Sequence, residues 1–329
     1  MPFAFSPAIV PWLVPLCAFF VCWLVLATLM QRTLRLPMDH PNARSLHATP
    51  TPRVGGIGII TAVLTASLLI QSPVLWPFML GALVLAVISL LDDYRNLPVH
   101  WRLLAHVAVA AVGLILFTHL RDINLVVATL AIVWMTNLYN FMDGADGLAG
   151  GMAVIGFGAL AVAAGWAGAP HLALFCVGIA AAALAFLRFN FPPARLFMGD
   201  AGAIPLGFLA AALAVYGVAQ NYWPTLFPVM VFSPFVLDAS VTLIKRGARG
   251  EKIWRAHREH YYQRLVRMGW SHRKLALAAY ALMLACALGA LILLWKPAYT
   301  AAMALLWASA FLFIFIAIDR RWSPLNHDV

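Results

Sequence analysis

The chain has 329 residues, of which 64% are hydrophobic and only 10% are charged. Soluble domains carry about 25% charged residues, so this composition excludes an ordinary soluble protein and predicts a polytopic membrane protein. The formal net charge is +10, yet no polar segment is long enough to fold alone. We therefore expect one transmembrane domain over residues 1–329, surrounded by the lipid bilayer and with no nucleic-acid partner.

Apolar runs of membrane-spanning length recur along the whole chain. They predict an all-α protein with about eleven transmembrane helices, with ten as the alternative count. The first run lacks a preceding basic segment, which favours a retained helix over a cleaved signal peptide. The predicted spans are roughly 7–30, 55–71, 74–91, 103–119, 122–141, 148–166, 170–187, 203–219, 223–243, 274–295 and 299–318. All four cysteines fall inside these spans, where we expect them to pack between helices.

Basic residues are divided very unequally between the two sets of connecting loops. Of the 22 Lys and Arg residues, only Arg121 and Lys296 fall in loops that follow even-numbered spans. The positive-inside rule therefore places the N-terminus outside and the C-terminus in the cytoplasm. The cytoplasmic loops are then about 31–54, 92–102, 142–147, 188–202 and 244–274. Of the 12 acidic residues only Asp122 lies on the other side, which indicates a shared acidic site on the cytoplasmic face.

The first polar edge carries the adjacent carboxylates Asp92 and Asp93. Two neighbouring carboxylates repel each other, so they need a cation nearby, either a metal or the guanidinium of Arg95 or Arg102. The alternative is that one of the two aspartates caps the next helix.

The second polar edge is the stretch 137–150. Its polar and flexible residues include Asn137, Asn140, Asp143, Gly144 and Asp146. If span five stays helical to its end, Asn137, Asn140 and Asp143 share one face. The glycines allow backbone N–H groups to approach a ligand closely. The alternative is a plain polar turn between two helices.

The third polar edge, residues 189–202, contains two prolines that make a continuous helix unfavourable. Asn190 and Asp200 in this edge are candidate oxygen ligands of a hard cation. The alternative for Asp200 is a simple N-cap of the next helix.

The last cytoplasmic loop contains His257, Arg258 and His260. Two imidazoles and a guanidinium on one helical turn suit a phosphate clamp. Because the same loop is strongly basic, a patch for anionic lipid headgroups is the alternative. In the first loop, Arg53 follows a run of prolines and is a candidate substrate contact.

Taken together, these segments resemble the polyprenyl-phosphate N-acetylhexosamine-1-phosphate transferase superfamily, glycosyltransferase family 4. The segments that carry the resemblance are 92–93, 137–148, 190–200 and 257–260, in family order, within about residues 40–265. The resemblance implies that undecaprenyl phosphate attacks the β-phosphate of a UDP-N-acetyl sugar and releases UMP. It also implies Mg²⁺, or Mn²⁺, as cofactor, a bacterial inner membrane as location and a homodimer as a candidate assembly.

The resemblance also implies roles for individual residues. Asp200 matches the family's metal-binding aspartate, with Asn190 beside the diphosphate. Asp92 and Asp93 match an acidic pair that serves either metal handling or deprotonation of the lipid phosphate. It further places Asp143 near the charged groups, with Asn140 beside it. Gly144 and Asp146 would border the uracil, and Phe197 would stack on the base. The sugar phosphate would meet His257, Arg258 and His260.

The sequence departs from the family pattern at two places, which bear on the expected site and substrate. Asn96 stands where the family often has lysine. The His-Arg-Glu-His sequence at 257–260 replaces the three consecutive histidines of the peptidoglycan branch, which argues against a muramoyl-pentapeptide substrate. The tracts 41–45 and 251–257 are more similar to the O-antigen-initiating branch, whose sugars include N-acetylglucosamine and N-acetylfucosamine. A magnesium-dependent prenyltransferase and an anionic-lipid transporter are the alternatives from other classes.

Overall fold

The computed structural model describes residues 10–31, 36–41, 46, 49–95, 97–253 and 257–322, without the side chains of Val10, Asp93, Tyr94 and Phe117. The expectations for the Asp93 carboxylate, for Asn96 and for most of the tract 41–45 therefore lie outside the described residues.

The described chain is almost entirely helical, which confirms the predicted all-α class. The helices are α1 (Val10–Gln31), α2 (Gly55–Ile70), α3 (Trp76–Arg95), α4 (Val99–Phe117), α5 (Asp122–Phe141), α6 (Leu148–Trp166), α7 (Pro170–Asn190), α8 (Asp200–Ala219), α9 (Leu226–Val231), α10 (Ser233–Ala248), α11 (Tyr261–Arg267), α12 (His272–Trp295) and α13 (Thr300–Arg321). Two short strands, β1 (Met38–Asp39) and β2 (Thr51–Pro52), pair in antiparallel fashion.

Eight of the helices within the described ranges are long and apolar enough to cross a membrane. They are α1, α4, α5, α6, α7, α8, α12 and α13, and α2 and the apolar part of α3 are shorter. The chain is therefore a multi-pass membrane protein. The cysteines pack as predicted: Cys22, Cys176 and Cys286 are buried and Cys17 is half-buried.

The ninth predicted span is not one helix. Residues 223–243 contain α9 and the start of α10, which are separated at Phe232. Pro234 lies in the first turn of α10, where its missing N–H leaves no hydrogen bond unmade. α10 then continues to Ala248, beyond the predicted end of the span.

α8 is the central helix of the bundle, packed against α2, α3 and α5, while α4 and α13 are largely exposed to the surroundings. Glycine permits a close approach of α8 to α2. A Cβ atom on Gly56 of α2 would lie 2.3 Å from the backbone nitrogen of Gly202 in α8. Only residues without a side chain allow the first turns of these two helices to meet this closely.

One end of the bundle, which we call the loop face, collects the polar edges. It consists of the β1–β2 hairpin and the connections between α3 and α4, α5 and α6, and α7 and α8. Backbone hydrogen bonds join these parts: the Phe197 N–H donates to Pro52 O at 2.7 Å, and the Gly55 N–H donates to Phe197 O at 2.9 Å. The loop before α8 is thereby fixed against the hairpin and the start of α2.

Candidate functional site at the loop face

Asp200 lies at the centre of the candidate site, as the first residue of α8. The N-cap of α8 is Gly199, at φ +70°, and Asp200 makes no capping hydrogen bond, so the N-cap alternative is wrong. Its carboxylate is 4.0 Å from the Arg102 guanidinium and is hydrogen-bonded to Asn140. The positive charge of Arg53 also interacts electrostatically with the Asp200 carboxylate. The structure thus brings four predicted residues together from separate parts of the chain.

Asp92 lies in the last turn of α3 and faces the same centre. One of its carboxylate oxygens accepts a hydrogen bond from Arg102 Nη1 at 2.6 Å, and the other accepts the Leu97 N–H at 2.6 Å. The N-cap of α4 is Pro98, so Asp92 does not cap that helix and this alternative is wrong for it. Arg102 therefore connects Asp92 with Asp200. It is the nearby cation that the sequence predicted for the acidic pair.

Asp143 is not on the face of a helix, because α5 ends at Phe141. The predicted shared face of Asn137, Asn140 and Asp143 is therefore wrong. Asn137 instead lies 3.3 Å from His106 Nδ1 and donates to Val133 O, away from Asp200. Of the two asparagines, only Asn140 contacts Asp200 at the centre of the site.

The environment of Asp143 disfavours its negative charge. Burial raises the pKa of this carboxyl well above its usual range, and the carboxylates of Asp200 and Asp39 raise it further. Asp39 belongs to β1, so the hairpin contributes a carboxylate to the site. Three acidic groups near one another make the site a strong attractor for a cation.

Asp146 and Asn190 join the α5–α6 loop to the α7–α8 connection. The Asp146 carboxylate accepts the Ala194 N–H at 3.0 Å and lies 3.1 Å from His272 Nδ1. The Asn190 amide accepts the Gly147 N–H at 2.9 Å and donates to Leu196 O at 2.9 Å. Because Asn190 is 3% exposed and bonded to backbone at both ends, we leave it out of the metal-binding set that the sequence suggested.

Gly144 lies against the last loop. A Cβ atom on this glycine would be 2.2 Å from the hydroxyl oxygen of Tyr262. That hydroxyl donates a hydrogen bond to Phe141 O at 3.0 Å. Tyr262 therefore fixes the last loop against the loop that carries Asp143.

His257, Arg258 and His260 do not lie on one helical turn, because α11 begins only at Tyr261. That part of the clamp expectation is wrong, although the rings of His257 and His260 are 4.7 Å apart. The buried carboxylate of Asp238 organises this segment. It accepts the Tyr261 N–H at 2.8 Å and the Tyr262 N–H at 2.9 Å, and lies 3.4 Å from His260 Nδ1.

His257 is uncharged at neutral pH. Burial lowers the pKa of its imidazole to about 4, and His260 and Arg246 contribute to the lowering. A neutral imidazole offers one N–H donor rather than a positive charge. Arg258 is then the cation of this segment, and it is half-buried.

A network of ion pairs stabilises the segment that contains His257 and His260. Arg246 pairs with Glu259 and, at 2.7 Å, with Glu251. Arg249 pairs with the same two carboxylates at 2.5 Å each. The Arg246 side chain is 8% exposed, so these pairs are shielded from water more than surface pairs are. The network ties the end of α10 to the residues that flank His257.

The carboxylates of the site suit a hard cation such as Mg²⁺ or Mn²⁺. Within the part of the chain that the structure describes, no group of three or more His, Cys, Asp or Glu side chains forms a complete metal site. Mg²⁺ usually takes one or two protein carboxylates and completes its shell with water and substrate phosphates. Asp143 and Asp200 fit that requirement, because the Asp200 carboxylate lies close enough to Asp143 to raise its pKa.

The sequence interpretation missed three functional neighbours. Asp39 was an isolated acid in the first loop, and His272 was one of many basic residues near α12. Asp238 carried a clearer signal, because an ionisable residue inside an apolar span is costly unless it has a role. Its burial at 6% exposure with two backbone partners explains how the cost is offset.

Comparisons with known proteins identify the family to which this chain is similar. The model of the family "Glycosyl transferase family 4" matches residues 75–218, which include Asp92, Asp143 and Asp200. The chain is 29% identical over 303 positions, 85% of this chain and 81% of the other, to a probable undecaprenyl-phosphate N-acetylglucosaminyl 1-phosphate transferase of Bacillus subtilis.

Two further relatives extend the comparison. A decaprenyl-phosphate N-acetylglucosaminephosphotransferase of Mycolicibacterium smegmatis is 30% identical over 297 positions, 73% of this chain and 71% of the other. A phospho-N-acetylmuramoyl-pentapeptide-transferase of Staphylococcus saprophyticus is 27% identical over 260 positions, 69% and 79% of the two chains. The chain therefore belongs to glycosyl transferase family 4, the superfamily of polyprenyl-phosphate hexosamine-1-phosphate transferases.

Proposed function

We propose that this protein transfers N-acetylhexosamine-1-phosphate from a UDP-sugar to undecaprenyl phosphate and releases UMP. The sugar is N-acetylglucosamine or a related N-acetyl sugar such as N-acetylfucosamine. The observation that carries the proposal is the convergence of Asp92, Asp143, Asp200 and Arg102 at one end of an apolar bundle. The reaction is the first membrane step of a cell-surface polysaccharide such as O-antigen.

The proposed site faces the cytoplasm of a bacterial cell. The excess of Lys and Arg in the loops of the loop face supports this orientation. UDP-sugars are cytoplasmic donors, so the orientation also suits the substrate.

In the proposed reaction a phosphate oxygen of the lipid attacks the β-phosphorus of the UDP-sugar. The bond from that phosphorus to the oxygen of UMP breaks, and UMP leaves. A phosphate monoester has its second pKa at about 6, so the attacking group is already mostly a dianion at neutral pH. General-base catalysis by Asp92 or Asp93 then contributes little, and the main tasks are positioning and charge neutralisation.

The residues of the site have distinct tasks in this scheme. Arg102 and Arg53 offset the charge of the diphosphate and keep Asp92 and Asp200 in place. Asp200 and Asp143 would hold the divalent cation, which would further neutralise the phosphate charge when bound. Asn140 orients Asp200 through their hydrogen bond.

The donor lies between the loop that carries Asp143 and the last loop. Phe197, whose backbone is fixed at both its N–H and its C=O, offers a half-buried ring for stacking on uracil. Gly144 is exposed and presents its backbone to the base, and Asp146 shapes this wall through its bond to Ala194. His257, Arg258 and His260 meet the sugar phosphate.

The last loop and the names of two relatives support an N-acetylglucosamine-type donor. The sequence His-Arg-Glu-His lacks consecutive histidines, and the Bacillus and Mycolicibacterium relatives are named for N-acetylglucosamine phosphate transfer. A muramoyl-pentapeptide donor is the runner-up, because one relative is named for it.

The test incubates the purified full-length protein with undecaprenyl phosphate, Mg²⁺ and one donor at a time. The donors are UDP-linked N-acetylglucosamine, N-acetylgalactosamine, N-acetylfucosamine, N-acetylquinovosamine and N-acetylmuramoyl-pentapeptide. We expect UMP release and a lipid pyrophosphate product, read by mass spectrometry, with one of the first four. No UMP with any donor, while a homologue works in parallel, contradicts the proposal. Product from the pentapeptide donor alone selects the runner-up.

A further inference from the structure

One side of α12 packs closely against the beginning of α6. His272, Ala276 and Tyr280 lie four residues apart on α12, so they form a stripe along that side. A Cβ atom on Gly147, the residue before α6, would lie 2.8 Å from the Tyr280 hydroxyl and 3.7 Å from the Ala276 Cβ atom. A Cβ atom on Gly151 would lie 1.9 Å from the Tyr280 ring. Glycine at these two positions therefore allows the stripe to reach the backbone of the α5–α6 loop.

The first residue of the stripe contacts Asp146, which the proposed function places at the uracil. His272 Nδ1 lies 3.1 Å from a carboxylate oxygen of Asp146 and 3.3 Å from its backbone nitrogen. A protonated Nδ1 donates to the carboxylate, and an unprotonated Nδ1 accepts the backbone N–H. Both forms of the ring thus have a partner on the same residue. The side chains of His272 and Asp146 are only 20% and 13% exposed, so water competes weakly for these bonds.

His272 also connects Asp146 to other parts of the loop face. It forms a hydrogen bond with the backbone of Leu46 in the first loop. The second carboxylate oxygen of Asp146 accepts the Ala194 N–H at 3.0 Å, in the α7–α8 connection. The Asp146 carboxylate therefore lies between a side chain of α12 and a backbone group of another loop, and both of them set its direction.

The last residue of the stripe binds the next peptide of the same turn. The Tyr280 hydroxyl donates to Gly147 O at 2.7 Å, while the Gly147 N–H donates to the Asn190 side chain at 2.9 Å. Gly147 is at φ +75°, a backbone conformation that glycine adopts without strain. The turn 146–147 is thus held by α12 on one side and by α7 on the other.

We propose that His272 and Tyr280 are positioning residues for the nucleotide of the donor, because they hold Asp146 and Gly147 in the arrangement that meets the base. The inference rests on the proposed function, since it explains how the part of that site that meets uracil is built. Both residues lie outside residues 75–218, the part of the chain that the family model matches. The competing explanation is that the stripe only packs α12 against α6 and has no selective effect on the donor.

The kinetic test compares variants of His272 for both substrates. His272→Ala removes the bonds to Asp146, and we expect the KM for the UDP-sugar to rise about tenfold. The kcat and the KM for undecaprenyl phosphate should stay within about twofold of wild type. His272→Asn keeps a donor and an acceptor near the position of Nδ1, so it should restore the KM for the UDP-sugar to within about threefold of wild type.

The matched control is His171→Ala, at an exposed histidine near the start of α7, at the other end of the bundle. We expect wild-type KM values for both substrates in this variant. A KM for the UDP-sugar in His272→Ala equal to that of the control overturns the inference. Equal rises of the two KM values in His272→Ala also overturn it, because they indicate a general loss of structure.

Tyr280→Phe tests the second residue with a smaller change. It removes only the hydroxyl that bonds to Gly147 O, so we expect the KM for the UDP-sugar to rise about threefold. Tyr299→Phe, at an exposed tyrosine at the other end of the bundle, is its control and should match wild type.

Binding of UMP provides a readout that does not depend on turnover. UMP carries the base of the donor but neither the sugar nor the second phosphate. We expect the Kd of UMP for the purified full-length protein, measured by titration calorimetry with Mg²⁺, to rise about tenfold in His272→Ala and about threefold in Tyr280→Phe. Wild-type Kd values in both variants overturn the inference.

The two proposals fail in different ways. If wild-type protein neither releases UMP from any donor nor binds UMP, the proposed function is wrong. If wild-type protein is active but His272→Ala and Tyr280→Phe have the KM and Kd values of their controls, only the positioning by α12 is wrong.

Discussion

The Arg102 guanidinium lies 2.6 Å from a carboxylate oxygen of Asp92, and this pair joins α3 to α4 at the loop face. The same nitrogen is 4.0 Å from Asp200. Arg102 thus offsets the repulsion between two carboxylates, and its cationic group lies beside the place proposed for the diphosphate.

Replacing Arg102 should therefore impair catalysis. In Arg102→Gln the buried sides of Asp92 and Asp200 lose their cation, and we expect kcat to fall on the order of 10²-fold. Arg102→Lys should retain part of the activity, because it keeps the charge but not the planar fork. The rate of UMP release measures the effect. Arg121→Gln, at the opposite end of the bundle, is the control; a twofold or smaller loss in Arg102→Gln would exclude the proposed role.

Asp200→Asn should abolish turnover while the protein remains folded in the membrane. The substitution removes a charge needed for the cation but keeps the shape and one hydrogen-bonding oxygen, so we expect a loss on the order of 10³-fold in kcat. Membrane insertion and thermal unfolding should be close to wild type. Asp122→Asn, at the start of α5 on the other side, provides a matched control. Near-normal UMP release by Asp200→Asn refutes a metal role.

Asp143→Asn should stabilise the metal-free protein while it reduces activity. The pKa of Asp143 is well above its usual value of 3.8 in the folded chain. The folded state therefore binds a proton more tightly than the unfolded state, and stability is lost as pH rises from the unfolded pKa through the folded pKa. The amide has no proton to lose, so its advantage over wild type should grow from acid to neutral pH.

The measurement for Asp143 is thermal unfolding in chelator at several pH values. We expect a gain in Tm of about 2 °C or more at neutral pH, which corresponds to roughly 1 kcal/mol. Added Mg²⁺ should raise the Tm of wild type more than that of the variant. A variant less stable than wild type at neutral pH would mean that the carboxylate is stabilising there.

Asp238 should control the order of the last loop. Asp238→Asn can turn an NH₂ donor towards the N–H groups of Tyr261 and Tyr262, and a lost buried acceptor costs about 1–3 kcal/mol. We expect faster hydrogen exchange in residues 257–267 and a lower kcat/KM for the UDP-sugar. Tyr262→Phe removes only the bond to Phe141 O and should give a smaller change in the same direction. Unchanged exchange in Asp238→Asn argues against a positioning role.

Phe197→Ala should weaken binding of the nucleotide sugar more than binding of the lipid. Stacking of a base on an aromatic ring is worth about 1–3 kcal/mol, so we expect the KM for the UDP-sugar to rise roughly tenfold. Phe191→Ala, which removes a ring packed near Tyr280 in the same connection, is the control. An unchanged KM for the UDP-sugar in Phe197→Ala rules out base stacking.

The spans were predictable because membrane insertion depends on local hydrophobicity. α5, α6 and α13 agree with their predicted spans to within three residues at each end. The break at Phe232 was not predictable in this way, because the residues on both sides of it are apolar. The positions of Asp92, Asp143 and Asp200 near one end also followed from the sequence, since each ends or begins an apolar run.

The partners of the polar residues were less predictable. The sequence offered both Asn190 and Asp200 as oxygen ligands. The structure instead bonds Asn190 to Gly147 and Leu196 and leaves Asp200 with Asn140 and Arg102. A polar side chain at a helix end can meet water, backbone or another side chain, and the sequence does not distinguish these.

The amino-acid sequence by itself determined that this is an all-α, multi-pass membrane protein with its acidic residues at one end. Hydrophobicity and charge are local properties of the chain, so their pattern along the sequence predicts the spans and the loops. Only the tertiary structure decided that Asp39 and Asp200 crowd Asp143, that Arg102 bridges Asp92 to Asp200, and that Asp238 organises the last loop. Those relationships depend on helix packing over long sequence separations, where contacts such as Gly56 with Gly202 set the distances.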